Sequence, residues 1–415
     1  MIILLPQLNG LASSSEDDWS MFRHDPAHTG AATGAAPMKP VELWSYTEEL
    51  FTSGTLSSSA AVVNGVVYVG SFRNPNQPSG NIYAFNAYTG TKIWNYSTDS
   101  SAHSAPAVSE NRLFIGVGGD VYALDALTGA KIWIFETGNL VGAPVIVSGI
   151  VYVGSLDDNV YAINASTGTK IWNYTTGNYL GGHGIVSSPA IANGILYVGA
   201  SDNIFYALNA SSGAKIWNYT TTGNIDSSPA VSGGLVYFGS WDQYVYALNA
   251  LTGIQVWNFT GIPWISPGIQ SSPAVASSIV YIGAPDGNIY ALNASTGKKL
   301  WNFDTGDRVI SSPAVAEGVV YIGSKVGNIY AFNASTGTTI WVFNTDTKIN
   351  SSPAIADGIL YIGSYDSNFY AISEHTPNNQ AYITQPLLIA ILIFVIILAI
   401  VIGWKYLKKK HNFFQ

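Results

Sequence analysis

The sequence predicts an all-β fold: an eight-bladed β-propeller of four-stranded blades, its N-terminal strand closing the last blade, followed by one C-terminal transmembrane helix. Three observations lead there. A unit of about forty residues recurs along most of the chain, one strand is offset by a full copy, and a long apolar run stands near the C-terminus.

The repeat is clearest from Ser311 to Trp341, SSPAVAEGVVYIGSKVGNIYAFNASTGTTIW. Three short runs rich in Val, Ile, Tyr and Ala alternate between two faces and are separated by Gly, Asn and Ser. A fourth run ends on Trp, which together reads as an antiparallel meander. The third-strand Tyr recurs at Tyr83, Tyr122, Tyr161, Tyr206, Tyr246, Tyr290, Tyr330 and Tyr370. The fourth-strand Trp recurs as Trp44, Trp94, Trp133, Trp172, Trp217, Trp257, Trp301 and Trp341. Its first copy precedes any complete repeat, and the last repeat lacks its own. If VELWSYT around Trp44 supplies the outer strand to the unit ending at Ser373, no sheet edge is left open between the chain ends. A Trp in each blade fits a wedge between sheets, because it buries a large area while its indole N–H needs an acceptor. That burial contributes at most roughly 4 to 6 kcal/mol per residue.

These residues carry a family resemblance. ALDALTGAKIW (Ala123 to Trp133) and ALNASTGKKLW (Ala291 to Trp301) resemble the Trp-docking repeat of the pyrroloquinoline-quinone-type propellers. That family includes quinoprotein alcohol dehydrogenases and BamB-like outer-membrane assembly scaffolds, and the resemblance implies an eight-bladed ring. The opening DWSMFRHDPAHTG, Asp18 to Gly30, is similar to the lead-in of many members. Where the family pattern has Asp in the turn before the fourth strand, this chain keeps Asp125 and elsewhere has Asn, as at Asn164, Asn209 and Asn293. Either side chain accepts turn N–H groups.

The expected organisation is a residual signal or disordered N-terminus over 1–17, a lead-in over 18–40, the propeller over 41–373, a linker over 374–385, a transmembrane helix over 386–404 and a basic tail over 405–415. The apolar run Leu387 to Gly403 is flanked by Pro386 and Trp404. At 1.5 Å per residue this stretch spans roughly 28 Å, close to a bilayer core. Lys405, Lys408, Lys409 and Lys410 place the C-terminus in the cytoplasm and the propeller outside. Met1 to Leu5 is too short for a secretory apolar region. Either a start lies upstream, or the chain is tail-anchored with its ring in the cytoplasm. Nine N-x-Ser/Thr sequons, Asn95 and Asn173 among them, make an exported ring a possible glycoprotein.

The chain has no Cys, which excludes disulfides, thiolate metal sites, covalent haem attachment and a lipoprotein anchor. Residues 1–385 carry 25 acidic against 13 basic side chains. Such a surface repels phosphate backbones and argues against nucleic acid as a partner.

Spacing within the repeat separates the two faces of the ring. From the first-strand Pro to the second-strand aromatic is eight residues (Pro106 to Phe114, Pro144 to Tyr152, Pro313 to Tyr321), and from the third-strand Tyr to the Trp it is 11. Length varies only between strands two and three and between the fourth strand and the next blade. In an up-and-down blade those connections share one face. Insertions there carry Phe51, Phe72, Arg73, Tyr179, His183 and Trp264. Such residue types are enriched where partners bind, and loops on a rigid scaffold are the usual place for binding. These six residues are the expected binding face for a protein or glycan.

No H-E-x-x-H, G-x-S-x-G or P-loop is present, and no catalytic or metal residue is assigned. His24 and His28 in the lead-in are expected to pack rather than react. Asp157, Asp158, Asp202, Asp242, Asp286 and Asp366 recur in the second-to-third turns; ordinary turn chemistry accounts for them, with shared Ca²⁺ binding as the other reading. The expectation is therefore a membrane-anchored binding or scaffolding module without a cofactor. The alternative is an oxidoreductase using pyrroloquinoline quinone and Ca²⁺, although the adjacent Cys pair that the resemblance implies for such enzymes is absent.

Overall fold

The computed structural model describes residues 18–47, 58–71, 79–177 and 184–374. Eight antiparallel sheets follow one another around a ring. Blades 1 to 7 span 61–98, 107–136, 145–175, 190–220, 230–259, 274–304 and 314–344, each running from the innermost strand outwards. Blade 8 takes its three inner strands from 354–373 and its outer strand from Val41–Thr47, which pairs antiparallel with Asn368–Ser373. The expected closure is present, with Trp44 opposite Ala371. The predicted transmembrane helix, the tail and residues 1–17 and 375–385 lie outside the described residues. No helix among the described residues is long and apolar enough to cross a membrane.

The second and third strands are buried on both sides, which is why they read as almost continuous apolar runs (VVYIG, NIYAF). The outer strands alternate, as in Lys215–Thr220, and face solvent on one side. Each third-to-fourth pairing slips by one residue just past the Ala–Trp pair, for example after Ala162 opposite Trp172, a bulge that increases local twist.

One carbonyl organises each joint between blades. In blade 3, the Tyr152 hydroxyl (3.1 Å) and the Trp172 indole N–H (3.0 Å) both donate to the Ala210 carbonyl of blade 4. Tyr197 and Trp217 converge in the same way on Ala250, Tyr237 and Trp257 on Ala294, and Tyr281 and Trp301 on Ala334. Tyr361 and Trp44 meet on Ala87, so Trp44 behaves as a blade 8 residue despite its place in the sequence. The Trp ring lies against the Thr-Gly turn of the next blade. A Cβ on Gly253 would come within 2.6 Å of Trp217, and its φ of +71° is left-handed, so this turn requires Gly on both counts.

The paired serines of the SSPA motif divide two tasks. The first accepts its own blade's second-strand N–H, as Ser187 Oγ does from Gly199 at 3.0 Å. The second accepts an N–H from the preceding blade: Ser188 N–H donates to Ser228 (2.8 Å), Ser228 to Ser272 (3.0 Å), Ser272 to Ser312 (2.9 Å), Ser312 to Ser352 (3.0 Å) and Ser352 to Ser59 (3.0 Å). The belt thus crosses the junction of blades 8 and 1. Blades 2 and 3 have Ala105 and Ala143 at this position and contribute no hydroxyl.

The lead-in runs around the axis on the side of the constant turns, meeting the blades in chain order. Trp19 bridges to Val62 of blade 1, and the Ser20 carbonyl accepts from Val108 of blade 2. Met21 packs into the core around Ile146 of blade 3. Carbonyls of Pro26, Ala27, Thr29 and Gly30 then accept the N–H of Ile191, Val231, Val275 and Val315 in blades 4 to 7. Ala31–Ala32 adds a short parallel strand to blade 7. Pro37 completes the path by accepting from Tyr321 (3.1 Å) and Trp341 (2.8 Å), replacing the turn alanine that blade 8 lacks where the chain breaks.

Arg23 is only 1% exposed, and its guanidinium donates to the Pro273 (2.9 Å) and Pro313 carbonyls of blades 6 and 7. Burial lowers its pKa to about 9, against the opposing pull of Asp25. His28 is fully buried edge-on against Phe22, and burial drives its pKa down to about 3. Both residues belong to the packed axis, and the burial of His28 is the packing expected of it.

Candidate functional site: the face of the variable connections

The connection of variable length from blade 5 to blade 6 is described in full, and it positions the one predicted contact residue within the described residues, Trp264. Ile262 and Ile269 are buried at its two ends. Between them the backbone is tied at two points: Gln243 Nε2 donates to the Ile265 carbonyl (2.9 Å) and Arg308 Nη2 to the Ser266 carbonyl (2.7 Å). Gly268 passes so close to the Trp241 backbone that a Cβ would sit 2.1 Å from its Cα. The loop is thus held from blade 5 and from the connection beyond blade 6, while the Trp264 ring is 75% exposed. An anchored aromatic in solvent contributes nothing visible to the core and is costly to expose. Phe51, Phe72, Arg73, Tyr179 and His183 lie outside the described residues.

The sequence singled out Trp264 but not its supports. Gln243 and Arg308 occupy turn positions that look ordinary in the repeat, and only the fold brings them to the loop.

Around this loop the face is acidic. The turn carboxylates are engaged in a repeated manner: Oδ1 of Asp202 accepts from the Ile204 N–H (3.0 Å), and Oδ2 accepts from the Tyr206 hydroxyl (2.6 Å) and the Gly177 N–H (2.8 Å). Asp157 with Tyr161, Asp242 with Tyr246, Asp286 with Tyr290 and Asp366 with Tyr370 repeat the pattern. Burial first, and then the adjacent carboxylate, raises the pKa of these phenols and keeps them protonated donors. Asp158 is pushed up by burial and by the charges of Asp157 and Asp202. Among the described residues, only Arg308, Lys325 and Lys348 bring positive charge to this face, and no three His, Asp or Glu side chains converge to hold a metal ion. The arrangement suits recognition of a polar or cationic surface around an aromatic anchor.

The opposite face has short turns capped by their own side chains. Asn164 Oδ1 accepts from Ser166 (2.9 Å) and Thr167 (3.0 Å), and Asp125 Oδ1 from Leu127 (3.1 Å) and Thr128 (2.8 Å). The interchange of Asp and Asn in the repeat therefore leaves the turn intact.

Comparison with known proteins agrees with this architecture. The family model described as outer membrane protein assembly factor BamB matches residues 25–179, 180–304 and 285–380. The structure of BamB from Moraxella catarrhalis is 18% identical, with a TM-score of 0.65, over 81% of this chain and 100% of that one. A europium-containing methanol dehydrogenase is 14% identical, with a TM-score of 0.71, over 86% and 98%. The quinohemoprotein alcohol dehydrogenase from Comamonas testosteroni is 15% identical, with a TM-score of 0.72, over 87% and 82%. At these identities the solved structures establish a shared fold alone, and a search of curated proteins finds no match. With its repeat, its ring closure and a family match from residue 25 to residue 380, the chain belongs to the BamB family of propellers.

Proposed function

We propose that the protein is a membrane-anchored, extracytoplasmic scaffold that binds a protein or glycan partner through the face of its variable connections. The observation that carries this reading is Trp264, exposed on a loop that Gln243 and Arg308 hold in place. BamB itself is named as an assembly factor, which supports a binding role for a relative of the same family. Anchoring rests on the apolar run Leu387 to Gly403 and the lysines after it.

Pyrroloquinoline quinone and Ca²⁺, implied for oxidoreductase relatives, find no matching donor set among the described residues. The turn carboxylates spend their oxygens on turn N–H groups and Tyr hydroxyls, and the chain has no Cys. A binding module therefore fits the residues better than an enzyme.

The test places a photo-crosslinking amino acid at position 264, or at Ser295 in a constant turn, in the full chain expressed in cells. Discrete adducts from 264 that are absent from 295 are expected. Equal adducts from both positions would remove the variable face as the binding surface, and dye-linked alcohol oxidation by protein given the quinone and Ca²⁺ would restore the enzyme reading.

A further inference from the structure

Charge is sorted along the blades themselves. At the constant-turn end of blades 3 to 6 the first-to-second and third-to-fourth turns contain no Asp or Glu. Exposed lysines stand at or just before the start of the fourth strand in three of these blades, Lys170 in blade 3, Lys215 in blade 4 and Lys298 and Lys299 in blade 6, with the neutral Gln255 in blade 5. At the other end of the same blades stand Asp157, Asp202, Asp242 and Asp286. The lysine end is also where apolar side chains project: Leu251 and Ile254, in one turn of blade 5, are 66% and 68% exposed. Blades 7 and 8 differ, with Glu42, Glu317, Asp357 and Glu374 at their constant-turn end against Lys39.

The position of this arc gives it meaning. The last described residue, Glu374, leaves blade 8 on the constant face. In a ring of eight, blade 4 stands across the axis from blade 8. We propose that the constant face of blades 3 to 6 is a docking surface for an anionic lipid bilayer, with Lys170, Lys215, Lys298 and Lys299 meeting headgroups and Leu251 and Ile254 entering the interface. Lysines near a negatively charged leaflet are attracted within a Debye length, apolar side chains between them add interfacial burial, and the Asp-bearing ends are repelled. This deepens the anchoring part of the proposed function and rests on it. A basic, apolar arc on this face would hold it against the membrane and present Trp264 outward.

The native chain has no Cys, so single-site labelling is direct. Ser295→Cys on the constant face and Asp346→Cys on the opposite face, each in the full chain reconstituted into vesicles, would carry a fluorophore quenched by spin-labelled lipid. The expected result is at least about threefold stronger quenching at 295 when about 30% of the lipid is phosphatidylglycerol than in pure phosphatidylcholine, with position 346 unaffected. About 0.5 M salt, or the triple change Lys170→Glu, Lys215→Glu and Lys299→Glu, should abolish the difference, whereas Lys→Arg at the same three positions should keep it. Equal quenching in both lipids, or a difference that survives the Glu variant, would overturn the proposal; an acidic protein as the true occupant would also leave the lipid signals equal. Flotation with vesicles in high salt separates the two readings. A chain that stays bound yet shows no lipid dependence overturns docking alone, and a chain released by salt that binds anionic vesicles in low salt overturns anchoring alone.

Discussion

The indole N–H of Trp341 donates to the carbonyl of Pro37 at 2.8 Å, across 304 positions of sequence. Elsewhere the equivalent acceptor is an alanine of the next blade, so this joint alone is completed by the lead-in. Trp341→Phe keeps an aromatic ring and removes the N–H, and a loss of about 1 to 2 kcal/mol is expected. Urea unfolding followed by circular dichroism checks it, with Trp264→Phe as an exposed control that leaves the midpoint unchanged.

Closure through Val41–Thr47 makes a larger prediction. Without residues 18–47, the strand Asn368–Ser373 loses its partner and presents an open edge. The shortened chain should unfold at markedly lower temperature and self-associate, as read by calorimetry and size-exclusion chromatography. Trp44→Ala alone should cost about 3 to 5 kcal/mol. An unchanged melting temperature for both variants would exclude this closure in solution.

The serine belt predicts a contrast between two similar residues. Ser272→Ala removes the acceptor of the buried Ser228 N–H, at an expected cost of about 1 to 3 kcal/mol. Ser295→Ala, in an exposed turn, should change stability by less than about 0.5 kcal/mol. Denaturant midpoints of the two proteins measure the difference.

Acid stability should depend on His28. Burial favours its neutral form and lowers its folded pKa to about 3 from an ordinary value of 6.5. The unfolded chain therefore binds the extra proton first as the pH falls. His28 contributes its full stability above about pH 6.5 and loses it towards pH 3, with a slope of at most about 1.4 kcal/mol per pH unit. Asp25, whose pKa is lowered despite its burial by hydrogen bonds to His24 and Thr29, adds loss in the same direction. His28→Asn should flatten the wild-type slope in this window, and a slope unchanged by the substitution would refute the assignment.

Repetition explains what could be read before the fold was known. Eight Tyr and eight Trp at fixed spacing disclose the blade, and the misplaced Trp44 discloses how the ring closes. The two roles of the serine pair were hidden because both are hydrogen bonds to backbone, one within a blade and one between blades, and neither leaves a compositional trace. Single-copy features were harder still. Arg23 reads as one cation among many until Pro273 and Pro313 are brought to it, and Gln243 and Arg308 become supports for Trp264 only when three connections meet. The insertions showed which face varies, because length is legible; what that face holds depends on tertiary placement.

The lead-in engages the blades in the order in which a ribosome would deliver them, and it reaches Pro37 just where blade 7 needs the acceptor that blade 8 does not supply. Its length is therefore a ruler. A ring of seven or nine such units would leave this thread too long or too short for its final bond, even though every joint between neighbouring sheets would look the same. The repeats make any number of blades locally acceptable; a stretch of about twenty residues with no repeat in it is matched in length to a ring of eight.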